Sequence, residues 1–98
     1  MSYPINNFFT RSFTHSDVTV GTSAAQALAA LTQPGRRIHL LIQNQHASAV
    51  VEVILNGTGS EGFNLAAGAT FSIEGYNGEV RLKSDTAATP VHIAYAVA

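Results

Sequence analysis

From Ile38 to Val97 the chain alternates apolar with polar or small residues, in short runs cut by turn sequences. Successive side chains of a β-strand point to opposite faces, whereas a helix repeats its apolar stripe about every 3.6 residues, so these runs argue for strands. Ile38, Leu40 and Ile42 fall on one face, and His39, Leu41 and Gln43 on the other. Val51, Val53 and Leu55 alternate with Val50, Glu52 and Ile54, and Phe71 and Ile73 with Thr70, Ser72 and Glu74. Val80 and Leu82 point inward between Glu79, Arg81 and Lys83, and Val91, Ile93, Tyr95 and Val97 alternate with His92, Ala94 and Ala96. The connecting segments NQHAS, NGTGSEG, AAGA, YNG and SDTAATP are turn compositions at short spacing. The pattern predicts an all-β domain, an antiparallel β-sandwich of jelly-roll-like form.

One stretch, TSAAQALAALTQPG, supports two readings. Its alanines favour a helix, with Ser or Thr to cap it and Pro-Gly to stop it. As a strand it places Ala25, Ala27, Ala29 and Leu31 on one face, and the strand-like DVTV and RRIHLLIQN on either side favour that form. Residues 22–33 are therefore open between strand and helix. Residues 1–15 differ again: Tyr3, Phe8, Phe9 and Phe13 follow no clean period. They read either as a first strand on their own domain or as an extended N-terminal arm that reaches a neighbouring subunit. Exposed aromatic side chains of this size call for a partner. The expected division is an arm over 1–15 and a sandwich over 16–98.

Charged residues make up 11% of the 98, against about 25% in an ordinary globular chain. A surface so poor in charge suits a subunit that covers itself with neighbours. A net charge of -1 with scattered basic residues provides no field for nucleic acid. No segment has the length and hydropathy of a membrane span, and MSYPINNFFTRSFTHS lacks the features of a secretion signal, so synthesis in a cytoplasm is expected. The absence of cysteine removes disulfides and thiolate chemistry.

The motifs point away from catalysis. GTGSEG, Gly57 to Gly62, has the G-x-G-x-x-G spacing, but FNLAAGATFSIEG follows it where a dinucleotide site needs a helix N-terminus, so a hairpin loop is expected. His15, His39, His46 and His92 show no ligand spacing and read as surface or satisfied sandwich histidines; the lesser alternative is that His39 and His92, both mid-strand, meet across a sheet. Ser23, Ser60 and Ser72 lack a nucleophile elbow, and Glu52, Glu61, Glu74 and Glu79 are spaced as single solvent-face charges. Asn56 in NGT reads as a turn. Arg36 and Arg37 open a strand, as edge charges that discourage wrong pairing or as interface ion-pair partners. No enzyme, metal or cofactor is expected. The candidate interface residues are Tyr3, Ile5, Phe8, Phe9, Arg11, Phe13, Arg36 and Arg37.

Over residues 18–97 the order of Pro34-Gly35-Arg36, Ile42-Gln43-Asn44, Leu65-Ala66-Ala67-Gly68 and Gly78-Glu79-Val80 resembles small β-sandwich structural proteins of tailed bacteriophages. The arm lies outside the likeness. The resemblance implies a capsid decoration (cement) protein, a homotrimer on the major capsid protein lattice of a virion. A tail, baseplate or neck adaptor is the alternative within that class. A small carbohydrate-binding sandwich, with Tyr76 and Tyr95 as stacking platform, is a third reading, and an enzyme built on His39 and His92 is last.

Overall fold

A computed structural model describes residues 13–31, 37–55 and 62–97. They contain eight strands: β1 (Thr14–Val20), β2 (Ala25–Leu28), β3 (Arg37–Asn44), β4 (Val51–Leu55), β5 (Phe63–Leu65), β6 (Thr70–Ile73), β7 (Val80–Ser84) and β8 (Thr89–Val97). They form two four-stranded sheets, with orders β1-β8-β3-β6 and β2-β7-β4-β5, and every pairing is antiparallel. The chain passes back and forth between the two layers, which is the connectivity of an eight-stranded jelly roll. β1 begins at Thr14, so its first two residues belong to the sandwich rather than to the arm read from sequence.

The alternation sorts the side chains as the period demands. Leu40, Ile42, Val91 and Ile93 from the first sheet meet Val51, Val53, Val80, Leu82 and Leu65 from the second in one buried core. Phe63 and Phe71, on the edge strands β5 and β6, close one side with ring centroids 4.6 Å apart. Truncating a core member such as Ile42 to alanine costs about 2–5 kcal/mol by lost transfer energy and cavity formation.

The ambiguous alanine stretch is a strand, and a short one. Ala25 lies opposite Leu82 and Gln26 opposite Arg81, then an irregularity shifts the register so that Leu28 faces Val80. Pairing with β7 overrides the alanine helix propensity, because tertiary context outweighs a weak local preference. The expected single face from Ala25 to Leu31 therefore breaks after Gln26.

Turns are held by particular groups. Asn44 is fully buried; its amide donates to the carbonyls of Ala49 (2.8 Å) and Leu65 (3.1 Å), and its oxygen accepts the His46 N–H. His46 Nδ1 in turn accepts from the N–H groups of Ser48 and Ala49, so this histidine staples the β3–β4 turn. Gly68 takes a φ of +76° in a turn closed by Ala69 N–H to Ala66 O, the position that favours glycine.

Candidate functional site

The two outer faces of the sandwich differ in chemistry. On the β2-β7-β4-β5 sheet Glu52 lies opposite Lys83 and Ile54 opposite Arg81. Lys83 Nζ lies 4.0 Å from Glu52, Gln26 donates to Glu79, and Arg81 donates to the Ala24 carbonyl, so charged side chains surround the buried Ile54 on this face. On the other sheet the outward positions are Phe13, His15 and Asp17 leading into and along β1; His92, Ala94 and Ala96 on β8; and His39, Leu41 and Gln43 on β3. This face is aromatic, imidazole-rich and thinly charged.

Its shape follows from β8, the strand between β1 and β3. Register puts Ala94 between His15 and Leu41, and Ala96 beside His39. Two methyl groups leave room above the central strand, and the flanking side chains close over them. The Phe13 ring lies 6.1 Å from the His39 ring at 26°, and Ala94 and Ala96 are buried although they point outward. Phe13 itself is 39% exposed. His39 also approaches Glu74 at 3.6 Å.

A hydrogen-bonded chain runs from β1 to β8 beside these alanines. Asp17 Oδ1 lies 2.6 Å from His92 Nδ1, and His92 Nε2 lies 2.8 Å from His15 Nδ1. Asp17 sits directly opposite His92, and His15 is its diagonal neighbour. Facing carboxylate holds the His92 Nδ1 proton and leaves Nε2 as the acceptor for His15 when both rings are neutral.

Several sequence expectations change here. His39 and His92 do not pair: His39 stands opposite Ala96 and His92 opposite Gln43, four positions apart along β8, which is roughly 13 Å. The partner of His92 is His15, distant in sequence and adjacent in register. Arg37 is a buried group on a central strand rather than a solvent-facing edge charge. It is 1% exposed, its guanidinium donating to the carbonyls of Ala29 (2.9 Å), Gly78 (3.1 Å) and Tyr76 (3.3 Å), and stacked 5.5 Å from the Tyr95 ring centre. Burial lowers its pKa from the ordinary arginine value, with Tyr95 and Tyr76 opposing the shift. Tyr76 and Tyr95, read from sequence as a stacking platform, both pack partly buried against the core, and the Tyr76 hydroxyl donates to the Glu79 carbonyl. Of the candidate interface residues, Phe13 stands on the outer face; Tyr3, Ile5, Phe8, Phe9, Arg11 and Arg36 lie outside the described residues, as do Asn56 and most of the GTGSEG loop. Among the described residues no three His, Cys, Asp or Glu side chains are grouped to hold a metal.

Topology and faces define a jelly-roll sandwich with one charged flank and one thinly charged, aromatic flank. No family model matches the chain, and no curated protein does. Among solved structures it is similar to a protein of Bacillus endospore appendages, described as a novel family of disulfide-linked pili, with a TM-score of 0.63. The match covers 90% of this chain and 84% of that one at 16% identity, a likeness of fold.

Proposed function

We propose that this chain is a non-enzymatic structural subunit that docks through the outer face of its β1-β8-β3-β6 sheet. The particular form proposed is a bacteriophage virion decoration protein, oligomeric (a trimer in that reading) and seated on the major capsid protein lattice. The observation that carries it is the contrast between the two flanks. Glu52, Lys83 and Arg81 give one sheet a charged outer face, while on the other Phe13, His39 and Leu41 surround two buried alanines, a thinly charged aromatic surface of the kind interfaces use. The resemblance of residues 18–97 to phage sandwich proteins adds the kind of partner. With a net charge of -1, affinity comes from contact area and from engaging several sites at once rather than from long-range steering.

A second reading, a subunit of a polymeric appendage, is favoured by the fold likeness to the endospore pilus protein. The 98 residues hold no cysteine, so such an assembly is held by noncovalent contacts here. Binding to assembled capsids and to unassembled capsid subunits, with electron microscopy of the protein alone, separates the two. Preference for the lattice and a raised threshold for shell rupture support decoration. Filaments from the protein alone move the assignment to the appendage, and equal binding to free subunits refutes the cement role.

A further inference from the structure

We propose that His15 and His92 form a surface binding site for a divalent transition-metal ion, copper(II) foremost, with Asp17 as the carboxylate that orients His92. The proposal stands on the geometry of the pair, which lies on the same outer face as the proposed docking surface, and it is tested on the free protein.

The two ring nitrogens are 2.8 Å apart and the ring centroids 5.0 Å apart. Metal–nitrogen bonds of about 2.0–2.1 Å at angles between a right angle and the tetrahedral value place two imidazole nitrogens about 2.9–3.4 Å apart and their ring centres about 4.5–5.3 Å apart. The nitrogen separation is close to a chelate's, and because the rings now stand nearly end to end in a hydrogen bond, each turns by roughly 15–25° to aim both lone pairs at one ion. His92 also has the support that metal-bound histidines have. Asp17 Oδ1, 2.6 Å from Nδ1, fixes the tautomer that leaves Nε2 free to ligate. Below the pair, Ala94 opposite His15 presents only a methyl group. His15 is exposed and His92 partly so, which gives the ion access from solvent.

The proton count closes. With both rings neutral, His15 carries the proton of the shared bond on Nδ1; on metal binding that proton passes to its Nε2, and Nδ1 and His92 Nε2 each donate a lone pair. If the pair holds one extra proton, that proton leaves to water. Two imidazoles with the remaining positions filled by solvent form a nitrogen–oxygen site, which suits copper(II) and nickel(II), with zinc(II) weaker by the usual order of affinities.

The test is titration of the full chain with copper(II), nickel(II) and zinc(II) salts, read by calorimetry, by copper electron paramagnetic resonance and by the melting temperature. One equivalent of copper(II) coupled to two nitrogens is expected, with the melting point raised by native-state binding. His15→Ala and His92→Ala should each weaken binding at least about tenfold and abolish the thermal shift. Asp17→Asn should weaken it by about tenfold while leaving two coupled nitrogens. His39→Ala and His46→Ala serve as comparisons and should leave the affinity unchanged. Because His15 lies exposed on an edge strand, His15→Ala keeps the fold, which circular dichroism verifies. Copper binding that survives both His15→Ala and His92→Ala, or that falls as much in His39→Ala, overturns the proposal.

Discussion

Replacing Arg37 with methionine keeps much of the side-chain volume and removes the charge and the donors. In the native fold the guanidinium reinforces the end of the β2–β7 pairing, bonding Ala29 after β2 and Tyr76 and Gly78 before β7 beside the Leu31 N–H to Asn77 O backbone bond. Its backbone N–H is also capped by the Asn77 side chain at 2.6 Å. Three bonds from a charged donor to carbonyls are worth roughly 1.5 kcal/mol or more each. Opposing this, the variant no longer desolvates a cation, a cost of several kcal/mol that sometimes makes an apolar replacement neutral or stabilising. Here the balance favours arginine, because methionine leaves three carbonyls without their donor and also forfeits the stacking on Tyr95. The expected net loss is about 2–3 kcal/mol, or a melting point lower by roughly 10–20 °C for a domain of this size. Urea unfolding reads it as a lower midpoint at unchanged slope. An Arg37→Met protein as stable as the parent, or more so, would refute the assignment of Arg37 as the tie at this end of the sandwich.

Asn44→Leu should destabilise by about 2–3 kcal/mol in the same assay, since it strips the donor from two buried carbonyls and the acceptor from the His46 N–H. Gly68→Ala should cost about 1–2 kcal/mol by backbone strain alone, because a Cβ there meets no atom within 4 Å while φ stays at +76°. Leu41→Asp on the aromatic flank should weaken particle binding strongly without unfolding the protein, and Lys83→Glu on the charged flank should leave it intact; a reversed pattern in a co-sedimentation assay rules out the proposed docking face.

The alternation from Ile38 to Val97 already determined the layered all-β architecture, because a period of two has one way to bury an apolar face. Leu40, Ile42, Val51, Val53, Val80, Leu82, Val91 and Ile93 all lie in the core that pattern predicts. Gly68 was equally legible, since a turn needing positive φ selects glycine locally. Register was not legible. Which residue of β1 faces which residue of β8 depends on pairing across more than seventy positions of sequence, and no local preference encodes it. That pairing is what puts His15 beside His92 and Asp17, and separates His92 from His39. Arg37 depended on tertiary structure for the same reason. Beside Arg36 it reads as a charge meant for solvent, yet the carbonyls of Ala29, Tyr76 and Gly78 converge on its guanidinium only once the two sheets are stacked. Periodicity carries the faces of a strand; only the closed sandwich brings distant polar groups together and decides what each one bonds.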